Sequence, residues 1–185
     1  MVLNSIGLVE VSSIAVGFLA EDAMLKAASV SLLVARTICS GKYLIAVGGD
    51  VASVQASVEA GVKVCAGSLI EKRTIVQVHE SVFPAISMAV DLAPERIKAL
   101  GFIETFSASS IIDVADAAAK SAEITLFRIH LAMAIGGKGF VLMTGDVASV
   151  EAAVAAGCAL AAEEGILVGR GVIAAPSPEL FQEYI

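Results

Sequence analysis

Apolar and polar positions alternate along the chain in a pattern that predicts short buried strands separated by helices. Four short apolar runs, each bounded by glycine or polar residues, are typical of strands. Residues 14–28 and 51–66 have helical spacing, and each follows a residue that can cap a helix. The resulting order is βαββαβ, a ferredoxin-like α/β (α+β) arrangement with helices on one face of an antiparallel sheet. The four predicted strands are 6–11, 30–38, 43–47 and 74–78.

The chain contains an internal repeat of this pattern. The sequence GGDVASV at 48–54 recurs as TGDVASV at 144–150, and the wider segments 41–61 and 137–157 agree at 12 of 21 positions. Earlier matches, such as Glu10 with Glu104, follow an offset of 94 rather than 96. The second copy is therefore predicted to carry two extra residues between Phe127 and Gly137.

The repeat predicts two domains, 1–90 and 98–185, joined by a linker. Asp50 is predicted to cap the second helix of the first copy, and Asp146 is predicted to repeat that cap. The linker contains Ala93-Pro94-Glu95-Arg96, which is typical of a helix start.

Composition and charge narrow the class of protein. Apolar residues make up 57% of the chain, but no charge-free run approaches the ~20 residues that a membrane span needs. The excess apolar surface therefore favours a soluble cytosolic oligomer. The net charge of -7, without a basic cluster, argues against nucleic-acid binding.

Few residues are candidates for chemistry. Gly41-Lys42 lacks the remaining residues of a phosphate-binding loop, and His79 and His130 have no partner spacing, so we interpret them as surface or interface residues. Cys65 and Cys158 lie among small apolar residues and are interpreted as buried. Cys39 is different, because it follows a strand in a glycine-containing turn where backbone N–H groups can stabilise a thiolate.

Asp22 and Lys26 are spaced i, i+4 on the first helix, and Asp116 and Lys120 repeat that spacing. Such pairs are usually solvated ion pairs worth a few tenths of a kcal/mol. The alternative is that the lysines belong to a lateral contact edge.

These motifs together resemble the shell proteins of bacterial microcompartments. The resemblance rests on IGLVE at 6–10, DAMLKAA at 22–28, GKY at 41–43 and GDV at 49–51, with related patterns in the second copy. The tandem, unpermuted order is similar to the trimeric class, in which three chains form a pseudo-hexagonal tile. The Arg-Pro-His stretch that often packs at tile edges is absent from both copies.

The resemblance implies a structural role in the microcompartment shell of the bacterial cytoplasm rather than an enzyme. It implies a homotrimer that packs beside other shell proteins, with Lys26 and Lys120 at the tile edge. In similar members a cysteine at the position of Cys39 converges on the three-fold axis, and three copies bind one [4Fe-4S] cluster, which implies a redox partner enzyme. The residues then expected to line the pore are Ser40, Gly41, Ala134, Ile135 and Gly136.

Two other functions fit the sequence. One is the same tile with a plain metabolite pore, in which Cys39 is incidental. The other is a tandem ferredoxin-like regulatory or catalytic module that binds a small ligand.

Overall fold

The computed structural model describes residues 2–133 and 135–181, which divide into two compact units, Met1–Phe83 and Pro84–Ile185. Each unit has the element order βαββαβ. The elements of the first unit are β1 (Ser5–Val11), α1 (Ile14–Ala27), β2 (Ser31–Ile38), β3 (Lys42–Gly49), α2 (Val51–Val64) and β4 (Leu69–Val76). A short helix α3 (Val82–Ile86) follows, and the second unit then comprises β5 (Ala99–Thr105), α4 (Ser110–Ser121), β6 (Thr125–Leu131), β7 (Gly139–Thr144), α5 (Val147–Glu163) and β8 (Leu167–Ala174).

The strand order confirms the predicted ferredoxin-like fold. The first sheet runs β2-β3-β1-β4 and the second runs β6-β7-β5-β8, with every neighbouring pair antiparallel. In the first unit the two helices pack against the sheet over a core that includes Val9, Met24, Ile45 and Val58. None of the described helices is long and apolar enough to cross a membrane.

The two units agree down to their irregularities. The pairing of the first strand with the last shifts register after Glu10 in one unit and after Glu104 in the other. The second strand carries a matching irregularity beginning at Leu32 and at Leu126. Because a β-bulge changes the local twist of a strand, these shared shifts show that the offset of 94 has a structural basis.

A glycine in the first strand of each unit lets a helix approach closely. A Cβ added at Gly7 would lie 2.5 Å from a γ-methyl of Val58, and one at Gly101 would lie 2.5 Å from a γ-methyl of Val150. Both distances are far below van der Waals contact, so these positions exclude a side chain.

Helix capping differs from the prediction at one position. Ser13 accepts the N–H of Val16 at 3.4 Å, and Asp50 accepts the N–H of Ser53 at 2.9 Å. Asp146 occupies the equivalent N-cap site of α5, but its side chain accepts no hydrogen bond from the described first turn of that helix. The prediction of Asp146 as the N-cap residue is confirmed, but its side chain does not repeat the hydrogen bond of Asp50 and lies 3.0 Å from Lys98 Nζ instead.

Some predicted boundaries are also shifted. The last strand of the first unit begins at Leu69 rather than Thr74. The predicted helix start at Pro94 is a single 3₁₀ turn, Pro94–Arg96, directly before β5.

Candidate functional site

The turn between the second and third strands is the part of each unit where the candidate chemistry lies. In the first unit it is a 3₁₀ turn, Cys39–Gly41, and Ser40 and Gly41 have left-handed φ angles of 64° and 73°. In the second unit Gly136 and Gly137 have φ angles of 68° and 83°. Both turns therefore end with two consecutive left-handed residues, a conformation that glycine adopts without strain.

The strand registers show where the two turns differ in length. Thr37 pairs with Tyr43 in the first unit, and Leu131 pairs with Gly139 in the second. Three residues, 39–41, separate Ile38 from Lys42, whereas five, 133–137, separate the corresponding residues of the second unit. The two extra residues therefore lie in the second turn. Ala134, one of the predicted pore residues, lies outside the described residues.

An ion pair anchors the exit of each turn. Lys42 Nζ lies 2.6 Å from Glu10 Oε1, and Glu10 is only 5% exposed. Lys138 makes the same contact with Glu104 in the second unit. Glu10 is buried, so removing Lys42 would leave an uncompensated buried charge. Both partners of the second pair are half-exposed, and that pair is correspondingly weaker. Each pair links the exit of its turn to the first strand of its sheet. The sequence feature that could have indicated these ion pairs is a glutamate in an otherwise apolar strand of both copies.

Cys39 has a different environment from the other two cysteines. Cys39 is half-buried in its turn, beside the exposed residues Ser40 and Gly41. Cys65 is buried and its Sγ donates to the Gly61 carbonyl at 3.0 Å, and burial raises the pKa of this thiol. Burial also raises the pKa of the Cys158 thiol, although Arg170 acts in the opposite direction. Of the three cysteines, Cys39 is the one that is not buried.

The described part of one chain does not provide a complete set of metal ligands. Among the described residues there is no group of three or more His, Cys, Asp or Glu that could hold a metal ion. A cluster bound through Cys39 would therefore need thiolates from other copies.

In the second turn, Ile135 is half-buried and Gly136 is exposed. His130 supports this turn, and our interpretation of it as a surface or interface residue was wrong. It is only 9% exposed, its ring stacks on Phe140 with centroids 4.8 Å apart, and its Nε2 lies 2.8 Å from the Met133 carbonyl oxygen. No spacing in the sequence revealed this contact. His79 is half-buried and bonds through Nδ1 to the Ser81 hydroxyl at 2.8 Å.

Both candidate edge lysines form the ion pairs that their spacing indicated. Lys26 Nζ lies 2.7 Å from Asp22, and Lys120 Nζ lies 2.6 Å from Asp116. The first pair is well exposed, whereas the carboxylate of Asp116 is largely buried. A role for these lysines at a tile edge stays a prediction.

Two ferredoxin-like units in tandem, each with an anchored turn after its second strand, define a duplicated two-domain chain. The family model of the BMC domain matches residues 5–78 and 99–176. The chain belongs to this family and is a structural shell protein of a bacterial microcompartment.

Three relatives illustrate the range of the similarity. The bacterial microcompartment shell protein PduT of Citrobacter freundii is 40% identical over 182 residues, which cover 98% of both chains. A crystal structure of a microcompartments protein from Desulfitobacterium hafniense has 53% identity and a TM-score of 0.93, over 97% of this chain and 98% of that one. The carboxysome shell protein CcmK2 of Synechococcus elongatus is 37% identical over 98 residues, 51% of this chain and 96% of its own length.

Proposed function

We propose that three copies of this shell protein form one pseudo-hexagonal tile and that their Cys39 turns meet at its centre to hold one [4Fe-4S] cluster. The observation that carries the proposal is the position of Cys39, half-buried in a surface turn, in a chain with no other suitable ligand group among its described residues. Thiolates are the usual ligands of such clusters. A three-fold axis turns one thiolate into three and leaves one iron for another ligand.

A difference between the first helices of the two units supports the trimer. On α1, Phe18 is 59% exposed and Leu25 is 38% exposed. The equivalent residues of α4, Ile112 and Ala119, are 0% and 7% exposed. The same surface is thus open in one unit and covered in the other, and exposed apolar patches of this kind mark interaction sites.

The opposite face of the sheet shows the reverse difference. Leu8 and Leu44 of the first unit are fully buried. Their equivalents in the second unit, Phe102 and Phe140, are only half-buried and line a cavity of about 390 Å³. Each unit therefore leaves open the surface that the other has covered.

Two different open surfaces on one chain favour a head-to-tail contact between copies. A heterologous contact of this kind generates a ring when its rotation closes. Three two-domain chains complete a ring of six similar domains, which is why we propose a trimer. In that ring α1 of one copy packs against the open sheet face of the next.

The turn residues would have distinct roles in holding the cluster. Cys39 supplies the thiolate, and the backbone N–H groups of Ser40 and Gly41 are available as donors to sulfur, because neither residue is proline. The ion pair of Lys42 with Glu10 fixes the start of β3 and so keeps the thiol in place. When bound, such a cluster would supply one-electron transfer across the shell to a redox partner enzyme. Because the relatives PduT and CcmK2 are named as shell proteins, we expect other shell proteins to be the lateral partners of this tile.

The experiment is a Cys39→Ser variant, purified and reconstituted without oxygen beside the wild type. We expect about four iron atoms per trimer and broad visible absorption in the wild type, and neither in the variant, because serine is a poor cluster ligand. Cys65→Ser and Cys158→Ser are matched controls that should keep iron and colour while losing some stability from a buried hydroxyl. Iron retained by the Cys39 variant, or absent from the reconstituted wild type, would contradict the cluster.

The second candidate function is a tile with a plain metabolite pore. The observation that favours it is the small size and exposure of Ser40, Gly41 and Gly136, which leave room for solutes at the turns. This candidate predicts a colourless, iron-free trimer whose Cys39→Ser variant behaves like the wild type.

A further inference from the structure

A polar cavity of about 570 Å³ lies at the N-terminus of α5, wholly within the second unit. Two basic residues, three hydroxyl-bearing residues and two apolar residues are among those that line it. The basic and hydroxyl residues are Arg96, Lys98, Thr125, Thr144 and Ser149, and the apolar ones are Leu92 and Ile124.

The helix end that faces this cavity has no carboxylate cap. In the first unit both oxygens of Asp50 bind Ser53, one through its N–H at 2.9 Å and one through its hydroxyl at 2.7 Å. Asp146 makes neither contact within the described residues of α5, since its carboxylate binds Lys98. The first-turn N–H groups of this 17-residue helix therefore lack a side-chain acceptor, at the positive end of the helix dipole.

An unpaired buried hydroxyl lines the same cavity. Thr144 is only 5% exposed, and its Oγ1 has no hydrogen-bond partner among residues 2–133 and 135–181. Its register partner on β6 is Thr125, so both side chains stand on the same face of the sheet. A buried hydroxyl without a partner is costly, and a ligand oxygen in the cavity would satisfy it.

Comparison with the first unit shows that these features belong to the second copy. Gly48 pairs with β1 where Thr144 pairs with β5. Ser5 pairs with Val76 at the start of β1, and Ala99 pairs with Ala174 at the start of β5, so Asn4 occupies the place of Lys98. The equivalent of Arg96 is then Val2. The two basic residues and the unpaired hydroxyl are therefore present in the second unit and absent from the equivalent positions of the first.

We propose that this cavity binds a phosphate group, either free or as the monoester of a small organic molecule. The Arg96 and Lys98 side chains, the Thr144 hydroxyl and the first-turn N–H groups of α5 would bind its oxygens, a combination suited to an anion with several acceptor oxygens. Asp146 competes with the anion for Lys98, and Glu123 is the second acidic side chain at the cavity. The proposal does not depend on the trimer or on the cluster.

The test is a calorimetric titration of the full-length protein with inorganic phosphate and, separately, with glycerol 3-phosphate. Arg96→Gln and Lys98→Gln should each weaken binding about three- to tenfold, because each removes a charge-assisted hydrogen bond. Asp146→Asn should strengthen binding by a few fold, since Lys98 is then released from its competitor. Thr144→Val should weaken binding without changing net charge. Lys63→Gln, in the last turn of α2, is the matched control for loss of one cation and should bind like the wild type.

The signs of these changes decide the outcome. If the Lys98–Asp146 pair served stability alone, Lys98→Gln and Asp146→Asn would both lower the melting temperature. Neither variant would then change the affinity for phosphate, and this result would contradict the proposal. Absence of saturable binding of either phosphate compound by the folded wild type at millimolar concentration overturns the proposal, as does equal weakening by Lys63→Gln and Arg96→Gln. Tighter binding of glycerol 3-phosphate than of inorganic phosphate would identify the ester as the ligand, and the reverse order would identify the free anion.

Discussion

Replacing Phe18 with aspartate tests the proposed contact between copies at a large, well-exposed apolar residue of α1. Phe18 is 59% exposed on α1, and its ring centroid lies 5.1 Å from that of Tyr43, which holds it against the surface of the unit. The side chain is mostly outside the core of its own unit. The substitution should therefore leave the fold intact while removing the contact with the next copy.

The size of the effect follows from the exposed area. A phenylalanine offers about 200 Å², so 59% exposure leaves roughly 120 Å² to be buried by a neighbouring copy. At about 25 cal/mol per Å² this corresponds to about 3 kcal/mol for each contact and about 9 kcal/mol for the three contacts of a trimer. The midpoint of trimer dissociation depends on the square root of the trimer constant. The protein concentration at that midpoint should therefore rise about a thousandfold.

Sedimentation equilibrium over a range of protein concentrations measures this midpoint, and circular dichroism checks that the variant is folded. Phe106→Asp is the matched control, because Phe106 is 67% exposed in the loop between β5 and α4 and belongs to neither proposed contact surface. The control should remain trimeric wherever the wild type does. A folded Phe18→Asp protein with the dissociation midpoint of the wild type would refute the contact through α1. A wild type that is monomeric at micromolar concentration would refute the trimer itself.

Two further predictions concern the tile edge and the helix–sheet packing. Changing Lys26 and Lys120 together to Glu should leave the trimer intact but weaken the layers of packed tiles seen by electron microscopy, because like charges would meet at the tile edge. Lys63→Glu is the control. Unchanged layers would count against the assignment of these lysines to the edge. Gly7→Ala should destabilise the protein by about 1–3 kcal/mol in urea unfolding, because the new Cβ would lie 2.5 Å from Val58. Adding Val58→Ala should recover part of that loss if the clash is its cause, and a double mutant whose losses simply add would contradict this reason.

The fold could be predicted from the sequence most directly at β1 and β3, which are apolar on both faces. In β1, Ile6 and Leu8 face one side of the sheet and Val9 faces the other, and all three are fully buried. A continuous apolar run of this kind is recognisable without knowledge of its neighbours. The start of β4 was missed for the opposite reason, since Glu71 and Arg73 alternate with more exposed residues on an edge strand and interrupt the apolar pattern.

The candidate site was predictable only where the signal is local. The turn at Cys39 follows from a strand end and a glycine, both visible in the sequence. The contact of His130 with the Met133 carbonyl depends on Phe140 from the neighbouring strand, which spacing alone does not indicate. The opposite exposure of α1 and α4 is also absent from the sequence pattern, because it reflects what packs on each helix rather than the helix itself.

The difference between the two turns explains why a duplicated chain suits a three-fold site. In a ring of six identical domains a turn cysteine would occur six times, twice the number that three ligands require. Duplication lets one turn keep Cys39 while the other gains two residues and ends in Gly136-Gly137, and the anchoring pairs Lys42–Glu10 and Lys138–Glu104 hold both turns alike. In the proposed ring the scaffold around the centre would keep six similar domains, while the thiolates at the proposed cluster site would be reduced to three.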